Sequence, residues 1–195
     1  KLNLIGKIQL KNLFMAILAS IKSNLSIKNI MDKINKLQPA EGRLEKIGIL
    51  KNNSKVILDY AHTPDALKTV LINVKEQFPS SKISLVFGCG GDRDKDKRSK
   101  MGKIASKYAD KIYLTDDNPR SENPQKIRNE IKEGIKNIKI KEVPERKKAI
   151  VKCINNLCSG EIAIIAGKGH EKTQDYKGKK RFFSDRNEIL KSIIE

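Results

Sequence analysis

Residues 116–120 read Asp-Asp-Asn-Pro-Arg, which places two carboxylates, an amide, a rigid proline and a guanidinium within five positions. Asn118-Pro119 is a turn signal, because proline presets the backbone and Asp or Asn side chains bond to their local main chain. Turn chemistry accounts for Asp117 and Asn118 but does not require Arg120. A guanidinium forks onto a carboxylate through two parallel hydrogen bonds, whereas Asp and Asn suit an ammonium group. Held on one rigid turn, these groups match the two ends of an amino acid.

Three more stretches carry chemistry-bearing residues. In Gly-Cys-Gly-Gly-Asp-Arg-Asp-Lys-Asp-Lys-Arg (88–98), Gly88, Gly90 and Gly91 let a backbone approach a ligand, and Arg93, Lys95, Lys97 and Arg98 offer cations. The Gly-Lys-Ser/Thr ending of a phosphate-binding P-loop is absent, and the stretch reads equally well as a tight strand-to-helix turn followed by solvated charges. In Gly-Lys-Gly-His-Glu (167–171), Gly167 and Gly169 expose backbone groups, Glu171 adds a carboxylate, and His170 reads as a loop histidine. In Asp-Tyr-Ala-His-Thr-Pro-Asp (59–65), Thr63 and Asp65 are both N-cap candidates with Pro64 in the first turn, Asp65 being the expected cap, which leaves Asp59 and His62 as ligand candidates. Together Arg93, Asp117, Asn118, Arg120 and Glu171 would supply two cations and two anions, which suits a small zwitterion with more than one charged head.

The elements that must hold these residues follow from hydrophobic periodicity. Apolar residues at helical spacing predict helices over 9–22 and 26–37, and Pro39 with Gly42 then breaks the pattern, marking a domain boundary. A hairpin over 45–61 turning at 52–54 comes next. Helices over 65–77, 97–108, 124–135 and 146–157 then alternate with strands at 83–87, 111–115, 139–143 and 162–166. A hairpin turning at Lys177-Gly178 and a short helix end the chain. This alternation predicts an α/β fold: a Rossmann-like, mostly parallel sheet with helices on both faces, preceded by a short helical remnant of another domain. Ligands of such sheets bind beyond the carboxyl ends of the strands, where all four chemistry-bearing stretches fall.

Composition bounds the rest. At 195 residues and 38% hydrophobic the chain can bury one ordinary core, and it opens on Lys1 inside an amphipathic run, as the middle of a larger protein would. A net charge of +18 raises nucleic acid as a partner, but the lysines are scattered and aromatics make up 5% without a stripe, so they read as solvated positions. Three cysteines without Cys-x-x-Cys spacing argue against a disulfide framework or a zinc site; each reads as a small buried hydrophobe in a reducing cytoplasm. No leader and no membrane-length apolar run is evident.

Five stretches in this order, DYAHTPDAL (59–67), FGCGGDRDKDKR (87–98), DDNPR (116–120), AGKGHE (166–171) and FSDR (183–186), resemble the Mur ligases, and most closely the members that add meso-diaminopimelate. The resemblance implies a cytoplasmic, monomeric enzyme using ATP and Mg²⁺ in peptidoglycan precursor synthesis. In that reaction the glutamate γ-carboxylate of UDP-MurNAc-L-Ala-D-Glu is phosphorylated and the diaminopimelate amine attacks the acyl phosphate. Residues 1–41 would be the last helices of a central ATP-binding domain and 42–195 the amino-acid-binding C-terminal domain. By resemblance Arg120 clamps the distal carboxylate, with Arg93, Asp117, Asn118, Pro119, Gly167 and Glu171 around the same amino-acid head. Asn12, Arg43, Asp59 and His62 would lie on the ATP side, although the chain has Ile8-Gln9 where the family usually has Phe-Asn. Neither a catalytic residue nor a metal ligand is expected in this stretch. The competing readings are the same ligase with lysine as substrate, and a basic nucleic-acid-binding module.

Overall fold

The computed structural model describes residues 2–194. Two helices, α1 (Gly6–Lys22) and α2 (Ile27–Ile34), lead into an antiparallel pair, β1 (Glu45–Ile49) and β2 (Lys55–Asp59). Then come α3 (Pro64–Gln77), β3 (Ile83–Phe87), α4 (Asp96–Tyr108), β4 (Lys111–Leu114), α5 (Pro124–Lys132), β5 (Lys139–Glu142), α6 (Arg146–Asn155) and β6 (Ile162–Ala166). A separate hairpin, β7 (Thr173–Tyr176) with β8 (Lys179–Phe182), and α7 (Asp185–Ile194) complete the chain.

The main sheet has the order β1-β2-β6-β3-β4-β5, with β1 its antiparallel edge and every other pair parallel. Every residue of β3 and β6 is buried, as the unbroken apolar runs require of strands covered on both faces. Alternation sorts their side chains. Leu85, Phe87 and Ile164 pack with Leu67, Leu71, Met101 and Ile131 of α3, α4 and α5. Val86, Ala163 and Ile165 pack with Ile150, Cys153 and Ile189 of α6 and α7. The fold is therefore the expected mostly parallel α/β sheet with helices on both faces.

Register decides where the loops emerge. Asp59 stands beside Ala166, Val86 beside Ile165 and Phe87 beside Leu114, so β2, β6, β3 and β4 end side by side. Because β6 returns between β2 and β3, the loops after Asp59, Phe87, Leu114 and Ala166 share one sheet edge, the crevice expected of a topological switch point.

Several local expectations are corrected. Thr63, in extended conformation, caps α3 by accepting the Ala66 N–H at 3.4 Å, so Asp65 sits inside the first turn, where its charge favours the helix dipole without capping. Helix α1 starts at Gly6 instead of residue 9 because two side chains of α3 cap it: Gln77 accepts the Gly6 N–H at 2.6 Å and Asn73 the Ile8 N–H at 3.2 Å. Helix α2 stops at Ile34 rather than 37, and much of the apolar face of this pair, including Phe14, Met15, Ile27 and Met31, is open to solvent. Cys89 and Cys153 are buried as expected, but Cys158 is exposed because it lies in the turn between α6 and β6. Among the described residues no helix is long and apolar enough to cross a membrane.

One buried ion pair ties the two ends of this layer together. Arg146, the first residue of α6, donates to Asp185, the first of α7, at 2.8 and 2.7 Å, and to the Ala166 carbonyl at 2.8 Å, with both partner side chains fully buried. Removing one member of such a pair leaves an uncompensated buried charge. Asp185→Ala is therefore expected to lower the unfolding free energy by about 3–5 kcal/mol, measured by urea denaturation.

Candidate functional site

A cavity of about 430 Å³ opens at the carboxyl edge between the loops, lined by Arg93, Asp117, Asn118, Arg120, Gly167 and Glu171 together with Tyr60, His62 and Lys97. Six of the seven residues expected around an amino-acid head thus share one cavity. The seventh, Pro119, does not line it: its carbonyl packs beneath Gly91, where an added Cβ would stand 1.9 Å away.

The loops are braced to one another. Gly91 N–H donates to the Asn118 carbonyl at 2.9 Å, and Arg120 Nη1 donates to the Gly91 carbonyl at 2.6 Å. Ser121 donates to Asp92 through its N–H at 3.1 Å and its hydroxyl at 2.6 Å, while Glu122 accepts the Asp92 N–H at 2.6 Å. Behind them Arg98, fully buried, donates to both oxygens of Glu122 and to Glu130. That hydrogen bonding, against a smaller effect of burial, lowers the Glu122 carboxyl to about 2. Arg98, which the sequence offers equally as a ligand cation or a solvated charge, and Glu122, which carries no signal of its own there, are site-building residues.

The β7–β8 hairpin supplies the outer brace. Arg120 has φ 52, an uncommon conformation for a side chain of this size. Its N–H donates to the Asp175 carbonyl at 3.1 Å, and its own carbonyl accepts the Lys177 N–H at 2.7 Å. Gln174 donates to the Asp117 carbonyl at 2.6 Å, and Tyr176 donates to Asp116 at 3.0 Å, so the 116–120 turn is clamped along its length. Gly167, at φ 114, is needed beneath it, since a Cβ there would stand 2.8 Å from Asp117 Oδ2.

The floor of the cavity is polar and charged. Lys168 is fully buried and donates to Asn118 Oδ1 at 3.0 Å and Glu171 Oε2 at 2.8 Å, while Asn118 Nδ2 donates to the same Glu171 oxygen at 3.1 Å. Burial would raise the Glu171 carboxyl, but the Lys168 and Asn118 hydrogen bonds hold it below the usual range. Glu171 Oε1 and both oxygens of Asp117 accept no hydrogen bond from the described residues, which leaves anionic acceptors for an ammonium group. Lys168 was missed by the sequence reading; its one signal is its place between two glycines at positive φ.

Asn12, Arg43 and Asp59 lie elsewhere, on a second cavity of about 540 Å³ with Ile8, Gln9 and apolar walls that include Leu13, Leu37 and Val70. Asp59 accepts the Leu44 and Ala61 N–H groups, each at 2.7 Å; burial raises its carboxyl despite those bonds. The Arg43 guanidinium stands over the Tyr60 ring at 4.6 Å from its centroid, and Gln9 donates to the Arg43 carbonyl at 2.5 Å. His62, expected alongside Asp59, instead lines the first cavity, because three residues beyond the strand the chain has turned into the start of α3. Among the described residues no cluster of His, Cys, Asp or Glu could hold a metal ion.

Gly91→Ala should force the 88–92 and 116–122 loops apart, since the new methyl meets the Pro119 carbonyl. The expected result is a stability loss of about 1–3 kcal/mol and faster amide exchange at Gly91 and Arg120, read by hydrogen–deuterium exchange with the core strands as internal control.

Comparison with known proteins places this geometry. The family described as "Mur ligase, glutamate ligase domain" matches residues 42–169. The UDP-N-acetylmuramoyl-L-alanyl-D-glutamate--2,6-diaminopimelate ligase of Rickettsia typhi is 43% identical over 98% of this chain and 38% of its own length. The enzyme of that name from Wigglesworthia glossinidia brevipalpis is 46% identical over 95% of this chain and 38% of its own. A solved structure of a ligase with the same name superposes with TM-score 0.78 at 36% identity, covering all of this chain and 40% of that one. The UDP-N-acetylmuramate-alanine ligase of Thermotoga maritima, 16% identical over 97% of this chain and 38% of its own with TM-score 0.68, shares the fold. The chain thus spans about two fifths of the length of the relatives it matches. With its sheet, its loop order and the match over residues 42–169, the chain belongs to the Mur ligase family.

Proposed function

We propose that this chain is the amino-acid-binding part of an ATP-dependent ligase that joins meso-diaminopimelate to the glutamate γ-carboxyl of UDP-MurNAc-L-Ala-D-Glu in the cytoplasm. The observation that carries this reading is the first cavity, where Arg93 and Arg120 stand with Asp117 and Glu171 on loops already tied together. Diaminopimelate has two amino-acid heads. One must be gripped as a zwitterion while the other presents an uncharged amine to the activated carboxyl. Arg120 and Arg93 take the carboxylate of the gripped head, and Asp117 with Glu171 Oε1 takes its ammonium. The contribution of these residues to rate is placement: holding one head fixed turns attack by the other into an effectively unimolecular step.

Discrimination against lysine follows from the same geometry. Lysine has an ammonium but no carboxylate at its distal end, so it would leave the guanidinium of Arg120 partly buried and, among the described residues, hydrogen-bonded only to the Gly91 carbonyl. Binding that leaves a polar group of the site unpaired is disfavoured by orders of magnitude. The names of the Rickettsia and Wigglesworthia relatives support diaminopimelate.

The second cavity suits the base of ATP: apolar walls for a flat ring, Gln9 and Asn12 among its lining, and Arg43 as its one cation among the described residues. ATP, when bound, activates the acceptor carboxyl by phosphorylation. Residues 1–41 contribute α1 to this cavity, and we assign them to the preceding ATP-binding domain, with 42–195 as the amino-acid-binding domain.

Calorimetric titration of the chain with meso-diaminopimelate and with L-lysine tests the reading. The expected outcome is binding of diaminopimelate only, weakened about tenfold or more by Arg120→Ala. Equal affinity for both amino acids, or diaminopimelate binding indifferent to Arg120→Ala, overturns the substrate assignment. Binding of neither overturns the claim that this chain holds a preformed site.

A further inference from the structure

Lys168 is the one fully buried lysine among the described residues, and it lies directly under the cavity. A buried ammonium is costly unless it is paired and hydrogen-bonded, and its partners here are both residues that line the cavity. Asn118 Oδ1 accepts from Lys168 at 3.0 Å and from the Asp175 N–H at 3.0 Å, so the carbonyl end of that amide is fully engaged below the floor. An amide so fixed has no choice of orientation: its NH₂ must lie on the other side, where one N–H donates to Glu171 Oε2. Glu171 in turn receives two donors on Oε2, leaving Oε1 uncommitted.

We propose that Lys168 is the positioning residue that sets the polarity of this cavity, turning Asn118 to offer a donor and Glu171 to offer an acceptor to a zwitterionic amino-acid head. The inference rests on the proposed reading of the cavity as an amino-acid site. A compact ammonium suits the task better than a guanidinium, because it reaches two acceptors on neighbouring loops from one point. With an apolar group in its place the Asn118 carbonyl oxygen keeps only the Asp175 N–H, so the amide is held less firmly against the reversal that would turn its carbonyl, which repels a carboxylate, toward the ligand. Glu171 would lose the donor that offsets its burial.

The charged groups around Glu171 make the pH dependence specific. Lys168 lies on its own turn, Arg146 with its partner Asp185 behind it from α6 and α7, Asp117 beside it after β4, and Arg93, Lys97, Asp94, Arg120 and His62 across the cavity. Of these, Lys168 and Arg146 favour the Glu171 carboxylate, and burial opposes it. Removing Lys168 takes away influences that offset burial, so the carboxyl protonates at higher pH than in wild type, and affinity for an ammonium-bearing ligand is lost at higher pH as the solution is acidified.

The test compares wild type and Lys168→Met by calorimetry with meso-diaminopimelate across pH and by ¹³C NMR titration of the Glu171 carboxyl. The variant is expected to bind about tenfold to a hundredfold more weakly, with both the acid limb of binding and the Glu171 titration moved to higher pH. A folded Lys168→Met protein that binds within about twofold of wild type, with Glu171 titrating as before, overturns the proposal. Should that variant fail to fold, the wild type decides: a Lys168 ammonium ¹⁵N signal with slowed proton exchange that moves on adding meso-diaminopimelate supports the assignment, and one exchanging like surface lysines overturns it. If wild type binds no diaminopimelate, the claim of a preformed site in this chain fails, and the role of Lys168 is then decided by the Glu171 titration and the ammonium signal.

Discussion

Arg146 lies inside the protein, and its two-pronged pair with Asp185 fixes the point where the sheet turns into a site. A guanidinium taken out of water costs several kcal/mol unless its charge is answered and donors are engaged; here Nε and Nη2 are bonded while Nη1 is buried without a partner among the described residues. Asp185 answers the charge and the Ala166 carbonyl takes a further bond, which joins α6, α7 and the end of β6 at one spot. The next residue is Gly167, the start of the loop that carries Lys168 and Glu171. Burial works against the charge of Arg146, yet Asp185, with Asp117 and Glu171 farther off, holds it above its ordinary value. The same cation favours an ionised Glu171. One buried pair therefore anchors the loop mechanically and biases its carboxylate.

The other loops solve the same problem by bracing each other. Arg98, also without exposed surface, pulls Glu122 of the 116–122 loop toward α4, and Glu122 holds the backbone of Asp92 in the glycine-rich loop. Arg120 closes the circuit by reaching Gly91, while the β7–β8 hairpin holds Arg120 itself in its uncommon backbone conformation. A site braced in this way loses little freedom when a ligand arrives, which is where a small polar ligand gains most of its affinity.

How much of this was legible in the sequence depends on what each residue signals locally. Strands 83–87 and 162–166 announce themselves because a strand buried on both faces must be apolar throughout, and the glycines and the Asp-Asn-Pro-Arg turn mark the loops. Switch-point topology brings Arg93, Asp117, Asn118, Arg120 and Glu171 to one edge, and the family resemblance adds Gly167; all six line the cavity. What could not be read was the support. Lys168, Arg98 and Arg146 look like any of the 41 lysines and arginines, and burial of a charge depends on a partner 50, 24 or 39 positions away. Thr63 and Asp65 compete as caps on equal local terms, and the backbone angle at Thr63 decides between them. The start of α1 rests on side chains of α3, a tertiary contact with no trace in residues 1–9.

The excess of positive charge and the chemistry of the cavity are separate matters. A net charge of +18 produces a field that acts on the net charge of a ligand. The proposed ligand, a diaminopimelate with two ammonium and two carboxylate groups, has none, so the field of this chain cannot concentrate it or sort it from other neutral amino acids. The cavity itself is balanced: Arg93, Lys97 and Arg120 face Asp94, Asp117 and Glu171. Recognition of a balanced ligand by a balanced cavity depends on where each sign sits, to within a hydrogen-bond length. That is why buried cations that touch no ligand, and loops whose contacts are mostly with one another, account for so much of this edge of the protein.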